Sequence, residues 1–289
     1  MTAPTTARVR SRRGRSERRS VALTILAVLM AAVFALPALW LLVGSVRPSG
    51  EIFDSLSPLS WRIFVPSSVS IENYVTLLTG SFGRALGVSF LVCALTVVVG
   101  VIVCALAAYA LAVLQFRGRG AVFAFVVISF MVPFEAIAIP LSQLFTSWGL
   151  TNTIMGLVQP GIGNGLAVFN LRQHFLAVPT SYREAATIDG ASEPRVLWSV
   201  YWPLGGSALA NSALLIFLGQ WTAYLWPLLV VSESRLQVAP VALSRTFSEH
   251  TFDYGQNFAG AVVLSIVPAV TMFILQRSFG GLSLATGEK

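Results

Sequence analysis

Residues 179–204 read PTSYREAATIDGASEPRVLWSVYWPL. The stretch lies between long apolar runs and carries Arg183, Glu184, Asp189, Glu193 and Arg195. Charged side chains in an otherwise apolar chain are costly unless they face water or a partner. Ser181 followed by Glu184 has the spacing of a capping box, which predicts a short helix from there to Ile188. Asp189-Gly190 then breaks it. Ser192-Glu193-Pro194 reads as a second helix start, because proline is tolerated in a first turn. Two short helices joined at Gly190 make a compact elbow along the membrane surface. Its small residues Ala185, Ala186, Gly190 and Ala191 admit close approach by another surface. A plain loop, in which Glu184 only caps its own helix, satisfies the same periodicity.

The rest of the chain fixes the setting of this loop. Of 289 residues 55% are apolar and 11% charged, against about 25% charged in a soluble domain. Several uncharged runs exceed the roughly 18–20 residues that cross a bilayer as a helix, so the chain reads as an integral membrane protein. The net charge of +7 does not point to nucleic acid: seven of the nineteen basic residues are arginines before Ser20. Such a basic segment beside an apolar run is the usual cytoplasmic flank, in contact with membrane lipid. The first apolar run, at about 26 residues, is longer than the core of a cleaved signal peptide. Cys93 and Cys104 stand eleven residues apart on one expected helix. That separation is about 16 Å, too far for a disulfide, so both are read as buried fillers.

In order, residues 1–20 are expected as a disordered basic tail, 21–46 as the first span and 47–83 as an external loop in which IENYVTLL forms a short helix. Residues 84–277 form the transmembrane core, and 278–289 a second tail. Within the core, no charge occurs from Ala85 to Phe116. The third span is expected over Ala121–Phe145, interrupted by Pro133, Glu135 and Pro140. The fourth covers Thr153–Leu171 and is broken at QPGIGNG. The fifth runs over Gly205–Val231 and ends in WTAYLWP, which fits an interfacial aromatic belt. The sixth covers Ala259–Leu275. With the amino terminus inside, fourteen basic residues lie on the inner side and five on the outer. That asymmetry favours six spans with both termini and the charged loop in the cytoplasm.

EAA, then IDGA, then a proline-leucine pair resembles the coupling loop of the permease subunits of ATP-binding-cassette importers, and most closely those of maltose-type sugar systems. Glu184, Ala185, Ala186, Asp189, Gly190 and Ala191 match that motif position by position, and Pro203-Leu204 matches its close. VSFLVCALTVVVGVIVCALAAYALA looks like the second span of the family. IPLSQLFTSWGLTNT and FNLRQHFLAVP look like its third and fourth, and GLSLATGEK like a degraded form of its carboxyl tail. Gly87 stands where an asparagine is usual, and WTAY where the sugar-importer pattern has WNEF. The resemblance implies an all-α protein of six transmembrane helices with the type I importer permease fold, in the bacterial inner membrane. It further implies pairing with a second permease subunit as a heterodimer, two cytoplasmic ATPase subunits docked on the EAA loop, and an external solute-binding protein.

No G-x-x-x-x-G-K-[ST] loop is present, and Lys289 is the sole lysine. The chain therefore has no Walker-type ATPase of its own; the resemblance implies a transport subunit with no catalytic or metal-binding residues and no cofactor, ATP and Mg being bound by the partner ATPase. An ion-coupled secondary transporter would bury several ionisable groups along its path, whereas the expected span interiors hold Glu135 alone. An intramembrane enzyme finds no support in His174 and His250, which lie in separate polar segments. Amino acid, peptide or polyamine importers share the same architecture. Glu135, with Gln159 and Asn164 beside a broken helix, are the candidate pathway-lining residues. Glu135 bonding to a neighbouring helix is the plainer alternative.

Overall fold

The computed structural model describes residues 7–52, 61–66, 68–246 and 253–279. All regular elements among the described residues are helical. In lipid, where no water satisfies backbone polar groups, a helix closes its hydrogen bonds within one segment. The chain divides into two units, Met1–Tyr74 with Tyr254–Val262, and Val75–Asp253 with Val263–Lys289.

In the first unit α1 (Ala7–Ser45) begins inside the arginine-rich segment. The disordered tail expected over 1–20 is thus corrected from Ala7 onward. Arginine is a good helix former, and one helix-weakening glycine does not outweigh seven arginines. Pro37 is carried within the helix. Val21, Leu26, Val28 and Phe34 are exposed, as expected of a helix whose apolar surface is meant for lipid. The end of α1 is held by the buried Asn73, whose Nδ2 donates to Ser45 O at 2.9 Å and to Arg47 O at 2.7 Å. Arg47 is itself buried and donates to Val65 O at 2.9 Å. Asn73 belongs to α2 (Glu72–Thr79), the short helix expected of IENYVTLL.

The second unit is built around α3 (Ser81–Ala112). It packs against α6 (Ile154–Ile162), α7 (Gly165–Ala177), α11 (Gly206–Trp221) and α13 (Ala239–Thr246). The contact face of α3 carries Cys104, Ala105, Ala108 and Ala112, small side chains that let helix backbones approach closely. Leu171 and Phe175 of α7 complete this core, together with Leu197 and Tyr201. Cys93 and Cys104 are free and buried on α3. A second core joins Val92 of α3, Phe145 of α5 (Phe134–Ser147), Leu157 of α6, and Trp226 and Val230 of α12 (Leu225–Val230).

Three expected spans are bent. α4 (Arg119–Met131) and α5 meet at 97°, because Pro133 has no N–H to give and holds Val132 in an extended conformation. The single third span expected over 121–145 is therefore two helices. α6 and α7 meet at 42°. Their break falls at Gly163-Asn164, while Pro160 stays within α6. α7 continues to Ala177, beyond Leu171, the expected end of the fourth span, so Arg172 and His174 lie on a helix. The loop itself holds α8 (Thr180–Ile188), α9 (Glu193–Val196) and, after a π turn at Leu197–Tyr201, α10 (Trp202–Leu204). The segment Glu193–Leu204 meets α11 at 87°. α11 stops at Trp221 and α12 follows separately, which breaks the fifth span expected through Val231. α14 (Tyr254–Phe279) starts before the expected sixth span and outlasts it. Among the described residues three helices are long and apolar enough to cross a membrane, and up to six if each bent pair counts as one. His250 and the tail from residue 280, with GLSLATGEK, lie outside the described residues.

Candidate functional site

The charged loop folds as the elbow its residues predict, with one correction. α8 begins at Thr180 behind Pro179, and no side chain caps it. Ser181 already lies in the first turn, so the Ser181–Glu184 capping box does not form. The carboxyl end of α8 closes by backbone alone. Gly190 N donates to Thr187 O at 3.0 Å and Ala191 N to Ala186 O at 2.9 Å, the paired bonds of a Schellman motif. Gly190 has φ +81°, the left-handed conformation this motif requires.

The elbow sorts the six motif residues into two groups. Glu184, Ala185, Asp189 and Gly190 are exposed, whereas Ala186 and Ala191 are half-buried against the α3–α7 core. Ile188, 85% exposed, stands beside them at the tip. The pattern I-D-G-A is the signal that contains it, but helical periodicity alone does not separate an exposed apolar residue from a buried one.

The elbow is fastened to α3 through Glu193. Tyr109, buried at the end of α3, donates its hydroxyl to Glu193 Oε2, and Arg183 of α8 pairs with Glu193 Oε1. The hydrogen bond from Arg183 holds the Glu193 carboxyl below the usual carboxylate range, and the same contact raises Arg183. Behind this cluster the rings of Tyr109 and Tyr201 meet edge to face at 5.1 Å, and those of Tyr201 and Phe175 at 5.6 Å. Such pairs contribute about 0.5–1.5 kcal/mol each beyond their burial. The π turn ends with Trp202 N donating to Leu197 O. That widening takes up the lost donor and the ring of Pro203. His174 of α7 contacts Leu204 O through Nε2 at 3.1 Å.

A second feature is a cavity of about 560 Å³ in the same unit. Glu135 stands just past the 97° bend, Asn164 at the 42° bend, and Thr222 and Tyr224 at the break between α11 and α12. All four line the cavity, with Gln220. Three helix interruptions therefore converge on one space, and interrupted helices within membranes are tolerated where they are buried in protein or border a cavity. Asn164 also caps α7, its Oδ1 accepting from Ala167 N at 2.9 Å. Gln159 is exposed on α6 and is not among the lining residues, so two of the three candidate pathway residues come together and the third points elsewhere. Gln220, a lone amide in the apolar run FLGQW, and Thr222 after it are polar lining residues the sequence reading passed over. The aromatic-belt reading of WTAYLWP is corrected as well. Trp221 and Trp226 are buried, and their indole N–H groups donate to Leu264 O at 3.0 Å and Gly156 O at 2.9 Å. A tryptophan in an apolar run fits either an interface or a core that offers its N–H a carbonyl.

The comparisons with known proteins agree with this architecture. The family described as "Binding-protein-dependent transport system inner membrane component" is matched over residues 100–281. The chain is 34% identical to the arabinooligosaccharides transport system permease protein AraQ of Halalkalibacterium halodurans, covering 89% of this chain and 92% of that one. It is 31% identical to the sn-glycerol-3-phosphate transport system permease protein UgpE of Rhizobium meliloti, covering 86% and 89%. A chain from the crystal structure of a bacterial ABC transporter involved in the import of the acidic polysaccharide alginate superposes with a TM-score of 0.78 at 21% identity. That match covers 96% of this chain and 100% of the other, and it speaks for the fold. The chain belongs to the family of binding-protein-dependent transport system inner membrane components, as a membrane permease subunit and not an enzyme.

Proposed function

We propose that this chain forms half of the translocation pathway of a type I ATP-binding-cassette importer in the bacterial inner membrane, and that its cargo is a sugar. It crosses the membrane six times, each bent helix pair counting once. The basic segment 1–20, the loop 179–204 and the tail 278–289 face the cytoplasm, and residues 47–83 face outward. The distribution of arginines supports this orientation. A second permease subunit completes the pathway, two ATPase subunits dock below, and an external binding protein delivers the solute. ATP and Mg are held by the ATPase. The oligosaccharide named for AraQ supports the sugar class.

The observation that carries the coupling role is the elbow at Gly190. It presents Glu184, Ala185, Asp189 and Ile188 to solvent while Glu193 ties it to α3. Glu184 offers a charge-assisted hydrogen bond, typically about 1.5–3 kcal/mol, and Ala185 leaves room for a partner surface. Ala186 and Ala191 seat the elbow on its own core. The test is co-purification of the wild-type chain and of Gly190→Asp with the ATPase, followed by substrate-stimulated ATP hydrolysis in vesicles. Gly190→Asp is expected to insert normally and to lose association or coupling. Retention of both by this variant would remove the loop from the transmission path.

A further inference from the structure

The cavity at the three helix breaks carries a single formal charge. Glu135 is its carboxylate, and among the described residues no Arg, Lys or His lines it. The amides of Asn164 and Gln220 and the hydroxyls of Thr222 and Tyr224 add donors and acceptors on the same wall. Phe134 and Trp226, also in the lining, stand edge to face at 5.9 Å and supply apolar surface. A few convergent polar groups on an aromatic wall are the makings of a specific small-molecule site. An ionised carboxylate only accepts hydrogen bonds. It therefore takes hydroxyl hydrogens from a polyol and repels an anion, Glu135 being exposed on the wall of a cavity that is open on one side.

We propose that this cavity takes an uncharged polyhydroxylated solute and discriminates against anionic sugars, with Glu135 as the selecting residue. This rests on the cavity being part of the sugar pathway proposed above.

The test uses the assembled importer in lipid nanodiscs with Thr222→Cys, an exposed lining position. Cys93 and Cys104 are buried, and the parent without Thr222→Cys controls for them. Rates of modification by a cationic and an anionic methanethiosulfonate reagent are each normalised to a free thiol. The cationic reagent is expected to be favoured by about tenfold. Glu135→Gln is expected to abolish that preference and Glu135→Lys to reverse it. In the Thr222→Cys importer, arabinotriose is expected to slow modification, whereas trigalacturonate at the same concentration does so only once Glu135 is replaced by Gln. A ratio unmoved by Glu135→Gln would overturn the proposal, as would equal protection by both sugars or protection by neither. These readouts do not require coupled ATP hydrolysis. Loss of sugar uptake with the reagent ratio intact would remove the transport reading and leave the charge of the cavity established.

Discussion

The hydroxyl of Tyr109 and the carboxylate of Glu193, 84 residues apart in sequence, form a hydrogen bond of 2.5 Å. It joins the end of α3, the helix around which the second unit is packed, to the first turn of α9 in the elbow. Arg183 approaches the same carboxylate from α8. Glu193 is thus the point where both arms of the elbow and the long helix meet. Tyr109→Phe and Glu193→Gln are each expected to cost about 1 kcal/mol of stability. The two losses should be less than additive, because they remove one shared contact. ATP hydrolysed per solute imported should rise in both variants while the ATPase still co-purifies. Additive losses, or unchanged stoichiometry, would show that the contact is not part of the transmission.

Gly190 allows its two roles to be separated. Its φ of +81° is unfavourable to most side chains, yet a Cβ there meets nothing within 4 Å. The constraint inside the chain is conformational, not steric. Asn tolerates the left-handed region, whereas Val is penalised by about 1–2 kcal/mol. Gly190→Asn is expected to unfold at the wild-type temperature, and Gly190→Val several degrees lower. If a partner surface closes over the elbow, Gly190→Asn should nevertheless bind the ATPase about tenfold more weakly, a loss of about 1.4 kcal/mol. Normal binding by Gly190→Asn would confine the glycine to its backbone role.

Ile188 is the most exposed large apolar side chain in the described residues, at 85%. It stands next to Asp189-Gly190 at the elbow tip. An isolated apolar residue on a surface is ordinary, but one beside the loop proposed above to receive the ATPase is placed to anchor that partner. Ile188→Ala is expected to weaken ATPase association by about tenfold, and Ile188→Glu to abolish it. Neither should change the thermal stability of the chain purified without its ATPase. Pull-down titration and thermal unfolding, run in parallel, separate the two effects.

How far the sequence could be read depended on whether a feature was set locally. The 32-residue uncharged run became the 32-residue α3, shifted four residues toward the amino terminus. Asp189-Gly190 ended α8 because a Schellman turn needs only its own backbone. Pro133 was visible as an interruption, but the 97° direction of the bend comes from packing between α5 and α12, which no local pattern encodes. The capping box failed for a smaller reason: α8 starts one residue before Ser181. Trp221 and Trp226 were misplaced because their carbonyl partners, Leu264 and Gly156, are 43 and 70 residues away. Glu193 stood in plain sight as a charge, and its partner Tyr109 lay inside an apolar span.

Orientation can be tested at two exposed positions. Val69 lies in the segment expected outside and Ser192 in the elbow, and both are exposed. In intact cells Val69→Cys should react with an impermeant thiol reagent and Ser192→Cys should not, until the cells are permeabilised. Labelling of Ser192→Cys from outside would invert the topology and separate the elbow from any cytoplasmic ATPase.

Gly161 lets α6 lie close to both α3 and α11. A Cβ there would lie 2.6 Å from Thr96 Cγ2 on α3 and 2.6 Å from Gln220 Oε1 on α11. The two neighbours differ in their capacity to yield. Gln220 lines the cavity and can swing its flexible amide into it. Thr96 is fully buried and its Oγ1 donates to Val92 O at 2.8 Å, which fixes its rotamer. Gly161→Ala must therefore push α6 away from α3, at a cost of about 1–3 kcal/mol. Thr96→Ser removes the obstructing methyl and keeps the hydroxyl. Combined with Gly161→Ala, it is expected to restore most of the lost thermal stability in detergent. Gln220→Ala in the same background should restore little. If Gln220→Ala rescues and Thr96→Ser does not, the tight contact lies on the cavity side, and the α3–α6 crossing is looser than its geometry indicates.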